Sequence, residues 1–371
     1  WTFPGAMLNL ASLGLITKAY TIANVIVNQN EHLTNRCTFA QLRTARIYRG
    51  DQHARRMHKT GIGFAYKIQG SRQSAPREEY HMSLTDKVII GVDVGTGSAR
   101  AGVFSQDGKL LGSAAHAIAM NKPKPDFVEQ DSENIWQSVC QSVRDALAKS
   151  NIAANQVAAI GFDATCSLVI RDANNRPLGV TPDGGDNWDV IVWMDHRAVR
   201  EAEECTKTGA KVLEYIGGTM SPEMELPKLM WLKRHHRQNW DKMGAAYDLA
   251  DFLSFRATGS NKRSCCTITC KWTYLAHQDD PWDRAFLDQI GLDDFPGKAR
   301  IDRKALGVGD LIGNLSEQSA TELGLTTDCV VGAGLIDAHA GALGTLGEYL
   351  DGNLDERFAM IAGTSTCHMA L

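Results

Sequence analysis

Residues 87–113 read KVIIGVDVGTGSARAGVFSQDGKLLGS, and the fold turns on this stretch. Val88, Ile89, Ile90, Val92 and Val94 make a nearly unbroken β-branched run, which predicts a buried strand. It ends in Asp93-Val94-Gly95-Thr96-Gly97-Ser98, and apolar alternation resumes through Ala99–Phe104. Ser105-Gln106-Asp107-Gly108 is a turn, and Lys109–Ser113 starts a third strand. The glycine-rich loop therefore joins strand to strand. A Walker loop or a dinucleotide fingerprint would lead from a strand into a helix, so neither fits. The glycines still allow the backbone of Gly95, Thr96, Gly97 and Ser98 to approach phosphate oxygens, with the Thr96 and Ser98 hydroxyls alongside. Asp93, at the strand end, suits hydrated Mg²⁺, which prefers a carboxylate plus water. A purely structural hairpin is the competing reading.

The surrounding chain limits what this hairpin can belong to. It has 371 residues, 43% hydrophobic and 22% charged, enough apolar material for two to three domains. No apolar run reaches the 18 residues a membrane helix needs. The net charge of −4 offers no general reason to bind nucleic acid. Residues 1–81 differ from the rest: eleven Lys/Arg against four Asp/Glu make them +7, which leaves −11 for the remainder. No helical or strand period persists from Asn28 to His81, and this segment is expected not to fold. Met82 opens MSLTDKVIIGVDVG in the manner of a natural start, so residues 1–81 read as a non-native or disordered extension. Nine cysteines, several in apolar or periodic stretches, fit buried thiols in a reducing cytoplasm. Cys265, Cys266 and Cys270 lack the second ligand pair that a metal site needs.

Downstream, Asp131–Ser150 is amphipathic, with Ile135, Val139, Val143 and Leu147 every four residues and Asp131 or Ser132 as cap. Val157–Phe162 is the next buried strand. Val190–Trp193 is another, leading to Met194-Asp195-His196-Arg197 at a helix start, where Asp195 reads best as a cap. Pro227 suits a first helical position. A strand and turn over Cys329–Ile336 precede a helix of small residues that begins at Asp337, where the helix dipole favours an acid even without function. Phe358–Ala362 is a last strand.

Together these segments resemble the FGGY carbohydrate kinases of the actin-like ATPase superfamily, in the ribulokinase and D-ribulokinase branch. The resemblance rests on DVGTGSARAGVF (93–104), GFDATCSLV (161–169), VWMDHRA (192–198), CKWTYL (270–275), GLIDAHAG (334–341) and AGTSTCHM (362–369). It covers residues 85–371 almost continuously. It implies an α/β fold of the actin-like, ribonuclease H-like type. Residues 82–330 would form the N-terminal domain, and 331–371 the start of a C-terminal domain cut short before its adenosine-binding loop.

The resemblance also implies a site. Asp337 would be the general base that takes the proton of the attacking sugar hydroxyl while Mg²⁺-ATP donates its γ-phosphoryl. Gly95, Thr96, Gly97 and Ser98 would form the first phosphate loop, and Gly363, Thr364 and Ser365 the second. Asp163, Thr165, Trp193 and Lys228 would bind sugar with Asp337. Cys166 is divided between pocket lining and core packing, and Lys228 between sugar contact and a surface position. The Asp248–Gly259 and Cys270–Thr273 segments are assigned packing roles. The implied reaction converts D-ribulose and ATP to D-ribulose 5-phosphate and ADP, with L-ribulose, ribitol and D-xylulose open as substrates. The implied cofactors are ATP and Mg²⁺, and the partner is a small sugar, with no nucleic acid or membrane and with a homodimer admitted. An inert sugar-binding relative and a partner-moving actin-like or chaperone ATPase are the competing classes.

Overall fold

A computed structural model describes residues 87–301, 304–347, 356–362 and 366–370. The extension expected over residues 1–81 and the predicted second phosphate loop, Gly363 to Ser365, lie outside the described residues.

The opening stretch forms the predicted meander: β1 (Val88–Val94), β2 (Ser98–Ser105) and β3 (Leu110–Ala117). Adjacent strands pair antiparallel. Every residue of β1 is buried, as its continuous apolar run requires of a strand covered on both faces. After the short β4 (Glu129–Gln130) comes α1 (Ser132–Ser150). Asp131 is its cap, its carboxylate accepting from the Glu133 and Asn134 N–H groups. Ile135, Val139, Val143 and Leu147 are buried, and the helix packs on β2 and β3. The approach is close. A Cβ on Gly112 of β3 would lie 2.6 Å from the Ala146 carbonyl oxygen.

β5 (Val157–Ala164) returns parallel to β1. The chain then leaves this sheet through Thr165-Cys166-Ser167 and enters a second one. That sheet has the order β4-β7-β6-β8, from β6 (Leu168–Asp172), β7 (Val190–Ile191) and β8 (Met243–Asp248). Helices α2 (Val199–Lys207), α3 (Glu225–His235) and α4 (Arg237–Lys242) lie between β7 and β8. They are followed by α5 (Leu249–Thr258), α6 (Cys265–Lys271), α7 (Arg284–Gln289) and α8 (Phe295–Lys298). Leu168, Ile191, Leu226, Leu229, Trp240 and Trp272 belong to the second core. The first core, between β1, β5, α1 and α5, holds Val92, Val139, Phe162 and Leu253.

The chain then rejoins the first sheet through β9 (Leu311–Asn314), α9 (Glu317–Leu323), β10 (Val330–Gly332) and β11 (Leu335–Ile336). α10 (Asp337–Leu346) follows at once, and β12 (Phe358–Ala362) pairs with β13 (Thr366–Ala370). The resulting sheet has seven strands in the order β3-β2-β1-β5-β10-β9, with β11 also on β5. An antiparallel meander joined to parallel strands is the ribonuclease H-like arrangement expected from the sequence. β10 and β11 both run parallel to β5, so the ends of β1, β5 and β11 face the same way. In open α/β sheets ligands bind at such carboxyl ends.

Candidate active site

Three predicted carboxylates meet at that edge through strand register alone. Asp93 on β1 stands opposite Asp163 on β5, and Asp163 stands opposite Leu335 on β11. Asp337 is the second residue after Leu335 and the first of α10. Neighbouring strands lie about 4.8 Å apart, so acids distant in sequence share one small region. Asp93 and Asp163 are buried, and Asp337 is half-buried. The Asp337 carboxylate accepts the Ala338 N–H at 2.7 Å, at the end of the helix where an anion is favoured. Asp93 Oδ2 accepts from Arg100 Nη1 at 3.0 Å. Arg100 is its cross-strand partner on β2.

The hairpin after β1 is tight. Gly95 N–H donates to the Ser98 carbonyl, and Ile118 N–H to the Gly97 carbonyl. Gly97 is exposed, and a Cβ there would meet nothing within 4 Å. The backbone at Gly97 is therefore open on its outer side. Thr96 and Ser98 are half-buried at its sides.

Of the sugar residues expected from the sequence, Thr165, Cys166 and Trp193 lie at the passage between the two sheets. Thr165 N–H donates to the Val94 carbonyl at 3.0 Å, and Thr165 Oγ1 lies 3.1 Å from Ser167 Oγ. Trp193 N–H donates to Ser167 Oγ at 3.1 Å, and Trp193 Nε1 to Thr96 Oγ1 at 2.9 Å. Cys166 is buried, and burial followed by the nearby Asp248 charge pushes its thiol well up. It stays protonated in its buried position.

Lys228 corrects one alternative. It is fully buried rather than on the surface, with Nζ 3.6 Å from Glu225 in the turn before it. Among the described residues neither group has a closer hydrogen-bond partner. Burial, offset by the Lys228 and Lys271 charges, pushes Glu225 up to about 7. Pro227 is the third residue of α3 rather than the first, still within the turn whose N–H groups need no helical partner. Asp195 is also corrected. α2 starts at Val199, and Ala198 precedes it with no side-chain cap. The Asp195 carboxylate instead pairs with the buried Arg197, which also reaches Glu129 at 3.1 Å. His196 is half-exposed, 3.6 Å from Glu223.

Several residues here escaped the sequence reading. Lys271 closes α6, in a segment that the sequence assigns to packing alone. Burial would lower its pKa, yet Cys166, Cys270, Glu225 and Glu223 around it raise the value overall. Asp248 caps α5, accepting from Ala250 N–H at 3.3 Å. Burial, with Asp251 and Glu225 nearby, holds its carboxyl well above the usual range. Cys266 Sγ lies 3.0 Å from His339 Nδ1, tying α6 to the helix that Asp337 begins. Arg100 and Gln130 complete the set. Only Arg100 had a signal, as a cation on the strand paired with Asp93. The described residues hold no cluster of three or more metal-ligating side chains. They also include no helix long and apolar enough to cross a membrane.

A meander, a parallel extension, a glycine hairpin and acids at the strand ends define an actin-like ATPase fold of the sugar-kinase type. The N-terminal domain of the FGGY family of carbohydrate kinases matches residues 88–344, and the chain belongs to that family. It is 43% identical over 298 residues to the FGGY carbohydrate kinase domain-containing protein of Homo sapiens, covering 77% of this chain and 53% of that protein. It is 41% identical over 315 residues to a D-ribulokinase of Saccharomyces cerevisiae, covering 77% and 44%. Among solved structures, gluconate kinase from Lactobacillus acidophilus superposes with a TM-score of 0.63 at 21% identity, covering 76% of this chain and 53% of that one. A xylulose kinase from the same organism gives 0.62 at 21% identity, covering 76% and 54%. At such identity these two show the fold alone. The chain spans about half the length of the curated relatives it matches.

Proposed function

We propose that the protein carrying this chain transfers the γ-phosphoryl group of ATP to a pentulose, D-ribulose first among the candidates. The observation that carries the reading is the register that brings Asp93, Asp163 and Asp337 to one sheet edge beside an open glycine hairpin. The similarity to a relative named D-ribulokinase favours D-ribulose over L-ribulose, ribitol and D-xylulose.

In this reading Asp337 takes the proton from the attacking hydroxyl, and the N-terminus of α10 favours the anion that does so. Asp163, Thr165, Trp193 and Lys228 bind and orient the sugar, and the buried Cys166 shapes the wall beside them. The backbone of Gly95, Thr96, Gly97 and Ser98 receives phosphate oxygens, and Gly363, Thr364 and Ser365 would form the second phosphate loop. Mg²⁺, when bound, neutralises charge on the transferring phosphoryl group. Asp93 is the residue that would hold it, through water, because its carboxylate stands at the strand end next to the hairpin. Arg100 shares that carboxylate and limits how far it can turn. The four buried thiols Cys140, Cys166, Cys205 and Cys329, none in a disulfide, support a cytoplasmic setting.

The test is ADP release by the full-length gene product with each of the four sugars, with and without the Asp337→Asn substitution. D-Ribulose should give the highest kcat/KM. Asp337→Asn should lower kcat by about two to four orders of magnitude while sugar binding, followed by calorimetry, weakens only modestly. A folded Asp337→Asn protein with unchanged kcat would remove the base assignment. Preference for another of the four sugars would remove the D-ribulose assignment.

A further inference from the structure

We infer that Trp193 and Gln130 are positioning residues for the phosphate hairpin, and that through them the sugar site sets the hydrogen-bonding direction of Thr96. The inference deepens the reading of this site as a sugar kinase and rests on it. Its basis is that two residues from the second sheet converge on one residue of the first. Gln130, on β4 and buried, donates Nε2–H to the Thr96 carbonyl oxygen at 2.7 Å. Trp193, just beyond β7, donates Nε1–H to Thr96 Oγ1 at 2.9 Å. β4 and β7 are paired neighbours, so both donors sit on one rigid support.

The bonds form a closed path. From Thr96 it runs to the Trp193 indole and from the Trp193 N–H to Ser167 Oγ. It continues from Ser167 Oγ to Thr165 Oγ1, and from the Thr165 N–H to the Val94 carbonyl, two residues before Thr96. The sugar segment and the phosphate hairpin are thus linked on both sides of the strand end.

This path has a chemical consequence. An indole N–H can only donate, so Thr96 Oγ1 must accept from Trp193. The Thr96 hydroxyl proton is then left to be given elsewhere, and an oxygen anion on the open side of the hairpin is a suitable acceptor. Trp193 therefore sets the Thr96 hydroxyl as a phosphate donor. Gln130 holds the same residue's carbonyl oxygen back, away from an approaching anion that it would repel. A sugar packed on the Trp193 ring restricts the indole and so sharpens the Thr96 geometry. ATP use should depend on sugar more strongly than proximity alone would require.

The test is a double-mutant cycle in the full-length gene product, built from Trp193→Phe and Thr96→Val. Phe keeps an apolar ring against the sugar and removes the donor. KM for ATP is measured with saturating D-ribulose, and the Kd for Mg²⁺-ADP by calorimetry. Trp193→Phe should weaken both by about five- to tenfold, the range of one hydrogen bond. In the Thr96→Val background it should add nothing, whereas in a Thr96→Ser background, which keeps the hydroxyl, its effect should persist. The ratio of sugar-stimulated to sugar-free ATP hydrolysis should fall in Trp193→Phe. Gln130→Met should weaken nucleotide binding further in either background, because it acts on the carbonyl and not the hydroxyl. Effects of Trp193→Phe and Thr96→Val that multiply independently would overturn the inference, as would a change confined to the sugar KM. If wild type phosphorylates none of the sugars, the sugar-kinase reading fails, and the Mg²⁺-ADP cycle still decides the inference.

Discussion

Glu225 is a carboxyl group under measurable tension. It is fully buried and faces Lys228 at 3.6 Å, and burial pushes its carboxyl up from the ordinary 4.5 to about 7 against the Lys228 and Lys271 charges. A carboxyl whose folded pKa lies above its unfolded one contributes stability that is complete below about 4.5. That contribution is lost as the pH rises through 7. For this pair of values the loss between pH 5 and pH 8 is about 2–3 kcal/mol. Glu225→Gln removes the titration and nearly preserves the shape. The stability difference, wild type minus Glu225→Gln, should therefore fall by about that amount from pH 5 to pH 8. Glu225→Gln/Lys228→Met removes both members of the buried pair and serves as a second comparison. Urea titrations followed by tryptophan fluorescence at several pH values give the required differences. A difference that is flat across pH 5 to 8, in both comparisons, would refute the claim that this carboxyl is buried against its own ionisation.

Arg197 offers a second check. Its guanidinium binds Asp195 and Glu129 and lies 4.2 Å over the Phe127 ring. Arg197→Met should cost about 3–5 kcal/mol by leaving two buried carboxylates uncompensated, and adding Asp195→Asn should recover part of it in denaturant unfolding. Arg197→Lys should not substitute, because one ammonium cannot reproduce the fork. Gly112→Ala should destabilise by about 1–3 kcal/mol, since its Cβ would press on the backbone of α1 at Ala146 and Ser150. An unchanged melting temperature would mean that β3 and α1 can separate freely.

The elements that could be read from the sequence are those whose causes are local. A β-branched run, two turn glycines and resumed alternation suffice for β1, the hairpin and β2, because each depends on residues a few positions apart. The Asp131 cap and the four-residue apolar spacing likewise place α1 within a residue or two. The motifs that mark a sugar-kinase family also lie within short segments, and they single out Asp93, Asp163, Trp193 and Asp337 as candidates with no reference to contacts. The tertiary structure decided how these segments meet. That Asp93 faces Asp163, and that β11 delivers Asp337 beside them, follows from strand register between parts of the chain more than 60 and 160 residues apart, and register is a property of the paired sheet. That Lys228 is buried against Glu225 depends on what packs over α3, and a helix-start lysine carries no mark of it. Asp195 looked like a cap because caps are local and common, whereas its Arg197 partner takes it only once Glu129 and Phe127 close over the pair. The hold of Gln130 and Trp193 on Thr96 had no signal in sequence at all, since it exists only where the second sheet meets the end of the first.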